Sequence, residues 1–217
     1  MIRLLSFRFD RIGMGRYHGR FPLRLISHRA GFILLVISLV ALRAPASESF
    51  GLDLHGQPVR QLAGPGIRAV VLIFAASDCP ISNRYVPVIA RLNHEFSAQG
   101  VRFWWVFPNP ADTATVVAQH DRDFSIDEST LLDRQQVLVR MAHATTTPEA
   151  VIFLAAKAGL REVYRGRIDD RYISLGQERP QPQHRELETA IAAALAGKPV
   201  PQPAGPPVGC SIVFLQP

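Results

Sequence analysis

An α/β layered fold built on a mixed sheet is predicted by three features of the sequence. Two continuous apolar runs, Ala69–Phe74 and Val101–Phe107, are joined by a segment of helical periodicity, which makes a βαβ unit. Two more strand-like runs, Ala150–Leu154 and Arg161–Arg165, are separated by a Lys157-Ala-Gly-Leu160 turn and form an antiparallel hairpin. An amphipathic segment over about 184–196, ending at Gly197, closes the series as a helix packed on one face.

The elements follow in order. Phe50–Val59 alternates apolar and polar residues around His55-Gly56, the pattern of a short hairpin at a sheet edge. Ala69–Phe74 is apolar and rich in β-branched residues throughout, as a strand buried on both faces must be. From Pro80, residues Ile81, Tyr85, Val88, Ile89, Leu92 and Phe96 recur at helical spacing and the pattern stops at Gly100, so a helix over about 80–98 is expected, with a kink at Pro87. Val101–Phe107 is a second buried strand, in which Trp104 and Trp105 face opposite sides. A helix over about 111–122 should carry Val116 and Val117 on its apolar side; a short Thr130–Asp133 piece then leads to a helix near 135–143.

A chain of 217 residues, 47% apolar and 19% charged, is long enough for one domain with a proper core. The formal net charge of +6 suggests an anionic partner until it is mapped. Residues 1–46 hold eight arginines against the single acid Asp10, which leaves the remainder close to neutral and removes the case for nucleic-acid binding. The basic stretch precedes the apolar run Ala30–Leu42 and then Ala44-Pro45-Ala46, the layout of a secretory signal with an A-x-A-like cleavage site. Residues 1–46 are therefore expected to be a signal peptide cleaved after Ala46, or a short uncleaved anchor, with Met14 an alternative start; no Arg-Arg pair supports a twin-arginine route. Membrane contact is expected through this segment alone. The mature chain would be periplasmic or otherwise extracytoplasmic, an oxidising setting in which the two cysteines, Cys79 and Cys210, are free to pair.

The stretch Val70–Pro80, Thr147-Pro148 before Val151-Ile-Phe153, and the Gly56–Val59 lead-in resemble the thioredoxin-like superfamily. The match is to its redoxin branch, which includes the alkyl hydroperoxide reductase and thiol-specific antioxidant (AhpC/TSA) proteins and the membrane-tethered exported thiol oxidoreductases. The resemblance covers about residues 47–197 and implies a thioredoxin-like fold, a central mixed sheet flanked by helices on both faces, with 198–217 a Pro-rich extended tail carrying Cys210. It further implies that Cys79 is the reactive cysteine and that Pro148 is a cis-proline packed against it.

Elementary physics points to Cys79 independently. A thiol at a helix N-terminus faces unpaired N–H groups and the positive end of the helix dipole, and Pro80 suits the first helical position. Cysteines so placed have lowered pKa values and are the reactive ones. The adjacent Asp78 works against this, and a buried, inert core cysteine is the plainer alternative. Ser77 and Ser82 are placed to donate hydrogen bonds to a thiolate, or are simply turn and first-turn residues.

Departures from the family patterns bear on activity. Cys79-Pro80-Ile81-Ser82 lacks the second cysteine of a Cys-x-x-Cys dithiol. Ala76 stands where a peroxiredoxin-type enzyme carries threonine, and only Arg84 or Arg167 offers a substitute for its peroxide-polarising arginine. Ala75 replaces the first cysteine of a Sco-type copper chaperone. Cys210, in Val208–Ile212 beyond a proline-rich tether that can span roughly 40 Å, is then a resolving partner for Cys79, a permanent structural partner, or a free tail thiol.

The resulting reading is an exported thiol-dependent oxidoreductase. Cys79 is the nucleophile on a protein disulfide or a peroxide, Cys210 the resolving cysteine, and Pro80, Ser77, Ser82, Thr147 and Pro148 the supporting residues. The other readings are a peroxiredoxin-like antioxidant peroxidase and a non-catalytic binding module with a static disulfide. No cofactor and no metal are assigned, because His94, His120, His143 and His184 lack ligand spacing and are expected on helix surfaces. The run Arg165–Tyr172 is expected to be a solvated charged loop, with a role at the mouth of the site as the alternative, and Asp169-Asp170 are not a catalytic pair.

Overall fold

The computed structural model describes residues 49–215, and the expected signal segment lies outside the described residues. A seven-stranded sheet forms the centre. Its strands are β1 (Gly51–Leu52), β2 (Pro58–Val59), β3 (Ala69–Phe74), β4 (Val101–Phe107), β5 (Ser129–Leu132), β7 (Glu149–Ala156) and β8 (Gly159–Gly166), in the spatial order β2-β1-β5-β4-β3-β7-β8. Strand β3 runs parallel to β4 and antiparallel to β7, β4 is parallel to β5, and β7 and β8 form the expected hairpin, so the sheet is mixed.

The helices among the described residues are α1 (Pro80–Phe96), α2 (Ala114–Phe124), α3 (Val137–Ala142) and α4 (Glu186–Leu195). Every residue of β3 is buried, and its alternating side chains feed two cores. Val71 and Ile73 pack with Tyr85, Ile89 and Leu92 of α1, Val117 of α2 and Leu187 and Ile191 of α4. Val70, Leu72 and Phe74 pack on the other face with Leu138, Val139 and Ala142 of α3. Trp104 and Trp105 divide between the two cores, as a period of two dictates. Helices therefore cover both faces.

Local sequence explains the boundaries. α1 begins at Pro80, continues through Pro87 and tightens into a 3-10 turn over Ser97–Gln99 that ends on Gly100 at φ 86°. The Thr113 hydroxyl accepts the Val116 N–H and caps α2 three residues later than the apolar pattern suggested. Val116 is consequently exposed and only Val117 enters the core, which corrects the expectation for that pair.

Two short pairings lie outside the main sheet: β9 (Tyr172–Ser174) with β10 (Gln177–Glu178), and β6 (Thr146–Thr147) with β11 (Cys210–Ser211). The second places the tail. From Gly197 the chain runs past Gly166, where Pro203 sits against the backbone, and the Ala204 N–H donates to Glu186. It then lays Cys210 opposite Thr147 and buries Ile212 in the α3 core. Among the described residues no helix is long and apolar enough to cross a membrane.

Candidate active site

The site is assembled by sheet register. Because β7 is antiparallel to β3, with Glu149 opposite Phe74, the start of β7 lies beside the end of β3, where the chain turns into α1. The Cys79 loop and the Thr147-Pro148 loop, 68 residues apart in sequence, therefore meet; the Thr147-Pro148 bond is cis. Cys79 is the N-cap of α1 with extended backbone angles, and Pro80 follows at the first helical position. The Cys79 thiol is fully buried and donates to the Thr147 carbonyl at 3.2 Å.

Cys210 completes the arrangement. Its strand pairs with β6 in the register Cys210↔Thr147, the Thr147 hydroxyl donates to the Cys210 carbonyl at 3.3 Å, and the Ile212 N–H donates to the Thr145 carbonyl at 3.0 Å. These bonds hold the Cys210 thiol 2.7 Å from the Cys79 sulfur, with the Cys210 S–H as donor. Burial opposes ionisation of Cys79, but hydrogen bonds from the Cys210 thiol, the Ser82 hydroxyl and the Ser82 backbone N–H outweigh it and hold its pKa below the ordinary 9.0. Cys210 is driven the other way, to about 12, by burial, by the hydrogen bond it gives Cys79, and by the negative charges of Cys79 and Asp78. Asp78 thus acts on Cys210, whereas the sequence argument had it raising Cys79. The pair is polarised: Cys79 is the more acidic thiol and Cys210 the less acidic. Two thiols so placed are competent for thiol-dependent redox chemistry.

The serines have different surroundings. Ser82 is buried, its hydroxyl has no hydrogen-bond partner among the described residues, and its proximity helps lower the Cys79 pKa. Ser77 turns away from the thiol: its hydroxyl and N–H both donate to the Asp112 carboxylate, and its carbonyl accepts from Asn83. It fixes the turn before Cys79 and does not bond the sulfur.

Several residues that sequence reasoning passed over support this frame. The Glu149 carboxylate, buried at the start of an otherwise apolar strand, accepts the N–H groups of Thr145 and Thr146 and so orders the cis-proline loop; burial pushes its pKa up. A lone acid inside an apolar run is the sequence signal that could have found it, since a buried carboxylate requires donors. Gln136 reaches the tail beyond Cys210, and nothing in its spacing marks it. His120, expected on a helix surface, is buried, hydrogen-bonded to Asn83 at 2.8 Å and set between Phe107 and Phe124.

The Arg165–Tyr172 run is also corrected. Asp169 and Asp170 are buried; Asp169 accepts from the Tyr85 hydroxyl and the Arg171 N–H, and Asp170 from the N–H groups of Gln183 and His184. These are structural tie points between loop and helices. Arg84 is paired with Glu178 and Arg167 with Glu186. Beside the first turn of α1, Pro80, Ile81, Arg84, Phe124, Tyr172 and Glu178 line an open cleft of about 650 Å³.

A βαβ unit whose helix opens on a cysteine, followed by a β-hairpin entered through a cis-proline against that cysteine, with helices on both faces, is a thioredoxin-like fold. The same fold is found in solved structures. An uncharacterized conserved protein from Geobacillus kaustophilus is 25% identical, over 78% of this chain and 90% of that one, with a TM-score of 0.64. A hypothetical protein from Sinorhizobium meliloti 1021 is 22% identical, over 76% and 91%, also at 0.64. A secreted Mycobacterium tuberculosis disulfide oxidoreductase superposes more loosely, 15% identical over 68% and 93%, at 0.44. No protein-family model matches the chain, and no curated protein matches it significantly in sequence.

Proposed function

We infer that this chain is an exported thiol-disulfide oxidoreductase of the redoxin branch, with Cys79 as nucleophile and Cys210 as resolving cysteine. The observation that carries the reading is the polarised sulfur pair, 2.7 Å apart, with the acidic member at a helix N-terminus and the basic member on a tail strand. The Cys79 thiolate attacks one sulfur of a partner disulfide, releasing the other sulfur as a thiolate and forming a mixed disulfide. Cys210, after giving up its proton to solvent or to the departing thiolate, attacks the Cys79 sulfur, expels the partner's second thiol and leaves a Cys79–Cys210 disulfide. Two electrons pass from the dithiol to the partner; the reverse sequence oxidises a partner dithiol. Thr147-Pro148 would align the partner chain, and Pro80, Ser77 and Ser82 would shape the loop around the nucleophile. Because Cys79 is buried beneath Cys210, the tail has to swing aside for a partner to enter.

Disulfide chemistry is favoured over peroxide chemistry by the arginines: both Arg84 and Arg167 are engaged by carboxylates and neither hydrogen-bonds Cys79. Export rests on the basic–apolar–small-residue layout of residues 1–46, and membrane contact would be confined to that segment. The test is equilibration of the mature protein in glutathione buffers, with alkylation and mass readout of both cysteines. A reversible intramolecular pair above about −250 mV supports the reading, whereas a bond reducible only far below about −300 mV marks a static disulfide and a binding module. Peroxide consumption dependent on Cys79 would move the assignment to a peroxidase.

A further inference from the structure

Beyond Ile212, whose side chain enters the α3 core and whose N–H donates to Thr145, the tail is met by a side chain at the start of α3. Gln136 Nε2 donates to the Val213 carbonyl at 2.6 Å, and Gln136 Oε1 accepts the Leu215 N–H at 2.9 Å. A single amide thus pairs with the backbone on both sides of Phe214, as a neighbouring strand would. Asn109 adds a long contact to the Val213 N–H at 3.4 Å.

Two further observations separate Gln136 from an ordinary surface glutamine. It is 3% exposed, so both ends of its amide depend on the tail for partners. Its backbone also sits in the left-handed region at φ 54° and ψ 37°, a conformation costly for a residue with a Cβ, kept where surrounding structure demands it. That backbone is itself tied, the Gln136 N–H to the Asp133 carbonyl and the Gln136 carbonyl to the Arg140 N–H, so the amide projects from a fixed point. Cys210 lies within the β6–β11 pairing, three residues before the clamped Val213.

We propose that Gln136 is a positioning residue that clamps the tail and sets how readily Cys210 displaces a partner from Cys79. The proposal rests on the thiol-pair reading above. In the closing step the Cys210–Cys79 bond forms, the bond from Cys79 to the partner sulfur breaks, and the partner leaves as thiolate to take up a proton. The clamp alters no atom in that exchange; it raises the effective concentration of Cys210 at the Cys79 sulfur.

The experiment compares the full-length wild type with Gln136→Gly, Leu215→Pro and the double variant in glutathione buffers, reading the Cys79–Cys210 disulfide by alkylation and mass. Glycine removes the amide while accepting the left-handed backbone, and proline removes the N–H that Gln136 receives. Losing the two bonds of the clamp should lower the effective concentration of Cys210 about tenfold. That raises the potential of the pair by about 30 mV. Leu215→Pro should give part of this loss and add nothing on top of Gln136→Gly, the non-additivity expected of partners in one interaction. Gln136→Glu, of equal length but with an oxygen facing the Val213 carbonyl, should also weaken closure. A Gln136→Gly protein that is less stable to denaturant but closes with wild-type effective concentration would overturn the clamp and leave the thiol pair standing. A wild type that forms no Cys79–Cys210 disulfide in any buffer would overturn both.

Discussion

Gly209 packs so closely on Thr147 that a Cβ on it would lie 2.0 Å from the Thr147 carbonyl oxygen and 2.7 Å from the carbonyl carbon. No side chain fits there, so the approach of β11 to β6 requires glycine immediately before Cys210. Gly209→Ala should push the tail strand off the cis-proline loop and separate the two sulfurs. A displacement near 1 Å slows reaction between positioned groups by roughly a hundredfold. Stopped disulfide formation followed by mass should show closure slowed by between about tenfold and a hundredfold, while the domain unfolds at nearly the wild-type denaturant concentration. Wild-type closure in this variant would mean the β6–β11 pairing does not deliver Cys210.

Ionisation of the pair gives a second expectation. Cys79 should titrate below 9.0 and Cys210 near 12, visible as two well-separated rises in ultraviolet thiolate absorbance. Cys210→Ala removes the leading hydrogen bond that favours the Cys79 thiolate, so the lower midpoint should move up. Cys210→Ser keeps a hydroxyl donor in the same place and should move it less. If alanine and serine give the same midpoint, the Cys210 thiol is not a donor to Cys79.

The main elements were readable because they rest on local periodicity. Ala69–Phe74 and Val101–Phe107 are strands over the expected residues, and the helix beginning at Pro80 follows from spacing plus a proline at its first position. What escaped depends on contacts between distant segments. The β9–β10 pairing around Gly176 carries no strong alternation, and Cys210 opposite Thr147 is a pairing between residues 63 apart that no window of sequence contains. Asp169, Asp170 and His120 looked like surface residues because their charge and helical position were visible while their backbone and side-chain partners were not. Cys79 was legible as an N-cap thiol, but not that the tail buries it.

Acid stability offers a third test. Asp133 is fully buried, accepting the N–H groups of Val137 and Val139 at the start of α3, and burial lifts its pKa from the ordinary 3.8 to about 6. A carboxyl whose folded pKa exceeds its unfolded one contributes stability that is full below the unfolded value and is lost as pH rises through the folded value. Asp112 and Glu149 are raised by burial in the same direction. Urea unfolding should therefore show stability falling from about pH 4 to about pH 6, by on the order of 2 kcal/mol from Asp133. Asp133→Asn should flatten this part of the profile and lower the whole curve by about 1–3 kcal/mol, because one backbone N–H would face an amide N–H. A slope of opposite sign would show that the accepted N–H bonds outweigh burial.

The last expectation concerns Ser82, whose buried hydroxyl has no hydrogen-bond partner among the described residues and helps lower the Cys79 pKa. Ser82→Ala removes that donor and should raise the Cys79 midpoint without disturbing the tail. Ser82→Cys is more informative, because it sets a second thiol one helical turn from the nucleophile. In Cys210→Ala protein, which cannot close a disulfide with the tail, Ser82→Cys should restore an intramolecular bond to Cys79 detectable by alkylation and mass. In protein that keeps Cys210, the new thiol should compete with the tail and yield two disulfide species, divided according to how firmly β11 is held. Absence of any bond between residues 79 and 82 would place the Ser82 side chain away from the sulfur and remove it from the set that tunes the nucleophile.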